Sequence, residues 1–137
     1  MDSALRKLCN ARYVTEGRGA IDANGVHAFD CWGFVMAVFT HFGFTVPDYT
    51  EHPDNYDAVR KRYATASASS LWEQVNEPEA PCLVAMATVH PAVCNHFGVY
   101  IGNGVFVHIQ KERGVHTDRI DAAPWQRFIH SYWKVAE

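Results

Sequence analysis

The first half of the chain carries apolar residues at helical spacing, separated by polar segments. Residues 31–42 are apolar on almost every side of a helix, and this pattern predicts a central buried helix. Asp30 precedes the segment as a helix N-cap, and Gly43 follows it as a stop. Shorter helices are predicted at 3–13 and 54–63, a short turn or helix at 71–75, and loops at 16–28 and 47–53.

The second half of the chain changes to strand-like patterning. Its apolar runs predict strands at 83–88, 97–101 and 105–110, with residues 114–120 extending the sheet. Gly102-Asn103-Gly104 predicts a tight hairpin turn, because Asn and Gly accept positive φ angles. A short helix at 121–128 and a final strand at 129–135 complete the pattern. Helices followed by an antiparallel sheet indicate the α+β class.

Length and charge limit the remaining possibilities. The 137 residues predict one domain, spanning 1–137, with a net charge of −3 and no basic block, so a nucleic-acid partner is not expected. No run approaches the ~18 apolar residues of a membrane span, so membrane insertion is not expected. The N-terminal residues lack the pattern of a signal peptide. We therefore expect synthesis in the cytoplasm.

Four cysteines and eight histidines leave metal binding and catalysis as alternatives. The irregular cysteine spacing favours free thiols over a disulfide framework. A zinc site could begin at Cys94 and His96, with further ligands from Cys82, His90 or His108. A paired Cys-x-x-Cys motif and a second compact ligand pair are both missing, however, so the pattern predicts no metal site.

Cys31 is the cysteine whose position indicates reactivity. It stands at the first helical position, where unpaired backbone N–H groups and the helix dipole favour a thiolate. Its alternative role is that of a small apolar core residue, which is the commonest fate of a free cysteine.

His96 and His108 change that balance in favour of catalysis. A hairpin centred near Asn103 places the two imidazoles one diagonal step apart on adjacent strands. Packed against the start of the buried helix, they predict an arrangement in which Cys31 attacks, His96 transfers the proton and His108 orients the His96 ring. Gly98 is expected to leave space for a substrate beside His96.

These motifs resemble those of the NlpC-type cell-wall cysteine peptidases. The resemblance lies in Phe29-Asp30-Cys31-Trp32-Gly33-Phe34-Val35, in the segment from His96 to Gly104, and in Phe106-Val107-His108. It implies a reduced papain-like fold with Cys31 as nucleophile, His96 as base, His108 as third polar residue and no cofactor. Tyr13 is the counterpart of a tyrosine that assists the oxyanion. The predicted oxyanion and substrate-binding residues are Tyr13, Asp30, Trp32 and Gly98.

Finer features resemble the phage tail branch of these peptidases. They are Trp32, the segment 42–49 and the aromatic residues between 125 and 133. This branch implies assembly with other tail-tip proteins, in a phage or a phage-derived particle such as a gene transfer agent. The implied substrate is bacterial peptidoglycan, cut at the γ-D-glutamyl to diaminopimelate bond during entry at the cell wall. The alternatives are a structural tail-tip protein with a dormant site, and a related amidase or acyltransferase.

Overall fold

A computed structural model describes residues 1–136. Four helices are present in this range: α1 Ser3–Cys9, α2 Cys31–His41, α3 Tyr56–Ser67 and α4 Trp125–Phe128. The strands are β1 Arg12–Tyr13, β2 Arg18–Ile21, β3 His27–Phe29, β4 Trp72–Val75, β5 Cys82–Met86, β6 His96–Gly102, β7 Val105–Gln110, β8 Gly114–Arg119 and β9 Ile129–Val135.

The strands form a small sheet and a large one. The small sheet has the order β1-β3-β2, and the six-stranded sheet has the order β4-β9-β5-β6-β7-β8. Every pairing in the large sheet is antiparallel. The predicted α+β class is therefore confirmed. That all of 1–137 forms one domain stays a prediction, since Glu137 lies outside the described residues.

Helix α2 begins and packs as its sequence predicts. The Asp30 carboxylate caps the helix by accepting a hydrogen bond from the Gly33 N–H at 2.7 Å. Phe34, Val35 and Phe39 are fully buried in the core between this helix and the large sheet. The helix therefore has little freedom to move, and its first residue is held against the sheet.

The β6–β7 hairpin has the predicted register. Val99 lies opposite Val107, and Tyr100 lies opposite Phe106. Asn103 at the turn has a φ of 56°, in the left-handed region that Asn tolerates. Because alternate residues face opposite sides of a sheet, Val99 and Val107 join the core under α2. Tyr100 and Phe106 join a second core around Trp125 on the other face.

Several sequence predictions of local structure are wrong in extent or type. The first helix ends at Cys9, and the predicted loop at 16–28 contains β2 and the first two residues of β3. Residues 72–75 form a strand, because they pair with β9 from the far end of the chain. The helix predicted at 54–63 runs instead from Tyr56 to Ser67, and that predicted at 121–128 is reduced to α4. None of the four helices could cross a membrane, being too short or too polar.

Candidate active site

The Cys31 sulfur lies where the start of α2 meets the start of β6. Its Sγ is 3.8 Å from Nδ1 of His96, and it accepts a hydrogen bond from the Phe97 N–H at 3.3 Å. As the first helical residue, Cys31 also has a backbone N–H without an intrahelical acceptor. The structure thus places a thiol, an imidazole and a free N–H together.

Two further groups continue the hydrogen-bonded chain away from the sulfur. His96 Nε2 lies 2.8 Å from His108 Nδ1, and His108 Nε2 lies 2.8 Å from the Asp118 carboxylate on β8. A carboxylate accepts only, so His108 Nε2 donates to it and His108 Nδ1 is left to accept from His96 Nε2. The unprotonated nitrogen of His96 is then Nδ1, which faces Cys31. We call this chain of four side chains the relay.

Burial keeps the reactive pair uncharged. It raises the pKa of the Cys31 thiol from 9.0 to about 12 and lowers the pKa of His96 from 6.5 to about 3. The expectation of a low-pKa thiol is therefore wrong. Three pKa units correspond to about 4 kcal/mol, whereas a helix N-terminus stabilises an anion by only about 0.3–2 kcal/mol.

The remaining sequence-predicted site residues occupy different positions around the sulfur. Tyr13 lines both clefts that flank Cys31, and Trp32 lines one of them. Asp30 uses its Oδ1 to cap α2 and to accept from Arg18 at 2.6 Å, so its carboxylate is engaged in holding the helix start.

Gly98 does not provide space for a substrate. An added Cβ there would lie 2.8 Å from the Val107 carbonyl oxygen and 3.1 Å from the His108 Cβ. The missing side chain instead allows β7 to approach β6 closely beside the second imidazole. This corrects the role that the sequence suggested for Gly98.

Two clefts meet at the sulfur. One, of about 760 Å³, is mainly apolar and includes Trp32, Glu51 and Trp72 among its lining residues. The other, of about 830 Å³, is more polar and includes His96 and Gln110. Cys31 lines both, so an extended chain crossing from one cleft to the other passes over the thiol. We call them the apolar cleft and the polar cleft.

A sequence comparison identifies the family of the chain. A sequence model of the NlpC/P60 family matches residues 11–134. The chain belongs to the NlpC/P60 family. The matched range includes the whole relay and every strand residue except Val135.

Relatives within this family include the probable endopeptidase p60 of Listeria innocua, which is 27% identical over 112 residues. That match covers 82% of this chain, which in turn spans 21% of the length of the curated relative. The peptidoglycan hydrolase RipB of Mycobacterium tuberculosis superposes with a TM-score of 0.57 at 18% identity, covering 97% of this chain and 63% of RipB. NlpC2 of Trichomonas vaginalis gives a TM-score of 0.63 at 15% identity, with coverages of 96% and 45%. The two structures show the shared papain-like fold of the family.

Sequence reasoning missed Asp118 as a member of the relay. The turn at 111–113 places His108 opposite His116 and Phe106 opposite Asp118. Asp118 is therefore diagonal to His108 on the same face of the sheet. The register argument used for the turn at Asn103, applied also to the turn at 111–113, identifies Asp118.

The fold does not support a zinc site or a disulfide framework at the other cysteines. Cys82 and Cys94 are buried within separate hydrophobic cores, and all four cysteines are free thiols. Within residues 1–136, no group of three or more His, Cys, Asp or Glu side chains is arranged to hold a metal ion.

Proposed function

We propose that this protein is a cysteine peptidase that hydrolyses an amide bond in the stem peptides of bacterial peptidoglycan. The observation that carries the proposal is the relay, in which a chain of partly buried contacts presents an unprotonated imidazole nitrogen to a thiol. Family membership, and the peptidoglycan hydrolase activity of the structurally similar RipB, support the choice of peptidoglycan.

The first step is the attack of Cys31 on the scissile carbonyl. The thiol proton passes to His96 Nδ1 as the sulfur forms a bond to the carbonyl carbon. Because both groups are uncharged at rest, proton transfer accompanies the attack. The resulting oxyanion is stabilised by the Cys31 N–H, with the Tyr13 hydroxyl as the proposed second donor.

In the rest of the reaction, His96 first donates a proton and then accepts one. The protonated His96 gives its proton to the amine nitrogen, the C–N bond breaks and a thioester remains on Cys31. Water then loses a proton to His96 Nδ1 and attacks the thioester. The carboxylic acid product departs, and the thiol recovers its proton.

The test of the nucleophile is the Cys31→Ala variant on purified sacculi. We expect the variant to fold with an unchanged melting temperature and to lose at least about a thousandfold in the release of soluble peptides. Cys9→Ala, which removes a free thiol at the end of α1 that is not part of the relay, is the matched control and should retain wild-type turnover. Unchanged release by Cys31→Ala would remove the nucleophile assignment and favour a dormant site.

The bond and the setting are finer parts of the proposal. We propose cleavage between γ-D-glutamyl and diaminopimelate residues, and mass spectrometry of the products from digested sacculi tests this directly. Products with another new terminus would contradict it, and products joined to an added amine would indicate acyl transfer.

We also propose that the protein is made in the cytoplasm, assembles with tail-tip proteins of a phage-like particle, and acts at the cell wall. The resemblance to the phage tail branch supports this proposal. Immunogold labelling of purified particles should place the protein at the tail tip. Its absence from particles, together with recovery in free form, would contradict the assignment.

A further inference from the structure

The second imidazole of the relay is better placed than the first to carry a positive charge. Among residues 1–136, the hydrogen-bond partners of the His96 ring are Cys31 and His108, and neither is a carboxylate. The His108 ring, in contrast, has the Asp118 carboxylate 2.8 Å from its Nε2. A carboxylate favours the cationic form of a neighbouring imidazole, so the two rings differ in how well they tolerate protonation.

Two aromatic rings beside His108 add to this difference. The Phe106 ring stacks on His108 with 4.8 Å between the centroids, and the Trp125 ring lies edge-to-face to it at 4.6 Å. Aromatic rings attract a cation that lies within about 6 Å of the ring centroid. The Trp125 centroid is 6.3 Å from that of His96, so its attraction for a cation is stronger at His108.

The other ionisable groups near the two imidazoles do not reverse this preference. Burial lowers the pKa of both rings, to about 3 at His96, where no carboxylate acts against it. At His108 the Asp118 carboxylate acts against burial. Its effect exceeds those of His116 and Arg113, which lower the pKa of His108 further. An imidazolium is therefore less unfavourable on His108 than on His96.

A proton can pass directly between the two rings. His96 Nε2 carries a proton and lies 2.8 Å from the unprotonated Nδ1 of His108. In a histidine–carboxylate pair the proton stays on the imidazole, because a carboxylate is the weaker base by ~2 pKa units. Here the donor and the acceptor are both imidazoles with the same unperturbed pKa. Their surroundings decide which ring holds the charge, and these favour His108.

We propose that His108 is the final proton acceptor of the first step and carries the positive charge until the amine departs. The inference rests on the proposed function and concerns the same site. As the Cys31 sulfur bonds to the carbonyl carbon, the thiol proton moves to His96 Nδ1 and the proton on His96 Nε2 moves to His108 Nδ1. The electron pair of the carbonyl π bond becomes the oxyanion. His108 is then an imidazolium beside Asp118 and Trp125.

Both protons return when the C–N bond breaks. The oxyanion re-forms the carbonyl, and the electron pair of the C–N bond goes to the amine nitrogen. His96 gives its Nδ1 proton to that nitrogen and recovers a proton at Nε2 from His108 Nδ1. Both imidazoles are then neutral, and the water that attacks the thioester uses the same path.

The His108→Asn variant distinguishes a proton acceptor from a residue that only orients His96. The introduced carboxamide oxygen still accepts a hydrogen bond from His96 Nε2, but it takes up no proton near neutral pH. Acylation is measured from single turnovers of N-acetyl-L-alanyl-γ-D-glutamyl-diaminopimelate, with protein in excess, in mixtures of H₂O and D₂O. The thiol contributes equally in both proteins. We expect the dependence on deuterium fraction to contain two transferred protons in the wild type and one in the variant.

The matched control is His116→Gln, which removes another imidazole, 6.4 Å from His108 between ring centroids. It should show the two-proton dependence of the wild type. After correction for the thiol, a one-proton or flat dependence in the wild type overturns the inference. A two-proton dependence in His108→Asn overturns it as well. If that variant does not fold, the wild-type dependence decides.

Alkylation of Cys31 by iodoacetamide tests the inference without a substrate. The thiolate is the reactive form, and because burial raises the pKa of the thiol to about 12, release of its proton to water is disfavoured. Transfer of that proton into the relay supplies the thiolate instead. We expect His108→Asn to slow the alkylation, followed by peptide mapping, at least roughly tenfold. His116→Gln should stay within about twofold of the wild type.

Equal alkylation rates for His108→Asn and the wild type overturn the inference. If the wild type cleaves neither sacculi nor the peptide, the proposed function fails, while the alkylation rates still test His108. If it cleaves both with a one-proton dependence, the proposed function stands and the inference fails.

Discussion

At the scale of single residues, Asp118 determines which nitrogen of each imidazole carries a proton. A neutral imidazole has one donor and one acceptor, and the two assignments differ little in energy without a partner. The Asp118 carboxylate, 2.8 Å from His108 Nε2, removes that ambiguity for His108 and, through it, for His96. Asp118 touches no reacting atom in the proposed reaction, so it acts as a positioning residue.

The Asp118→Asn variant tests this role. We expect kcat to fall at least roughly tenfold with KM nearly unchanged, because the amide can also donate and so permits the wrong tautomer. The carboxylate raises the pKa of His108 against the effect of burial. Its removal should therefore lower that pKa and shift the acid limb of the kcat profile to lower pH.

The control for this variant is Asp121→Asn, which changes an exposed carboxylate paired with Arg119. It should leave kcat and the pH profile as in the wild type. A kcat for Asp118→Asn within about twofold of wild type, with an unmoved acid limb, would show that Asp118 only packs against the relay.

At the scale of elements, the close approach of β6 and β7 at Gly98 sets the distance between the two imidazoles. Gly98→Ala brings a Cβ to 2.8 Å from the Val107 carbonyl oxygen, so the strands must separate. We expect a loss of about 1–3 kcal/mol in the free energy of unfolding, measured with urea. We also expect a lower kcat, because His96 and His108 move apart.

Gly43→Ala separates the effect on the relay from general destabilisation. Nothing lies within 4 Å of the added Cβ there, and the penalty comes from a φ of +91°. This variant should lose stability while keeping the kcat of the folded protein. Equal kcat values for Gly98→Ala and wild type would contradict the proposed control of imidazole spacing.

The elements that the sequence predicted well are those with local signals. Helix α2 has its cap, its apolar run and its stop within 14 residues of one another, and the β6–β7 hairpin is defined by its turn. Strand β4 has no such signal, because its four residues become a strand only by pairing with β9. The same holds for β1, a two-residue strand paired with β3.

At the scale of the whole molecule, the sequence predicted the part of the candidate site that depends on local signals, chiefly the hairpin turn at Asn103. Register around Asn103 placed His96 and His108 together, and the helix cap placed Cys31. Glu51 lines the apolar cleft and is paired with Arg62, a contact with α3 that forms only in the folded chain. Burial, which sets the pKa of Cys31, is likewise a property of the folded chain.

The relay also makes stability depend on pH. Burial lowers the pKa of His96 from 6.5 to about 3 and lowers the pKa of His108, so the unfolded chain binds protons more tightly than the folded one. Stability from these groups is complete above about pH 6.5 and decreases as pH falls towards 3. For His96 the decrease approaches about 1.4 kcal/mol per pH unit.

Urea unfolding between about pH 7 and 5 measures this dependence. His96→Gln should show a shallower decrease in the free energy of unfolding than the wild type. His52→Gln, which changes a histidine whose side chain is 51% exposed, should match the wild type. Identical slopes for His96→Gln and wild type would contradict the assignment of the acid sensitivity to the relay.

Because two clefts meet at the Cys31 sulfur, the two product fragments of the proposed reaction leave in a fixed order. His96, which gives its proton to the departing amine, lines the polar cleft. The amine fragment therefore leaves first and empties the polar cleft, while the acyl fragment stays tethered in the apolar cleft. Water must then enter from the emptied side, and so must any competing amine. On a substrate with few cross-links, where many amino groups remain free, the same centre would therefore join strands as well as cut them.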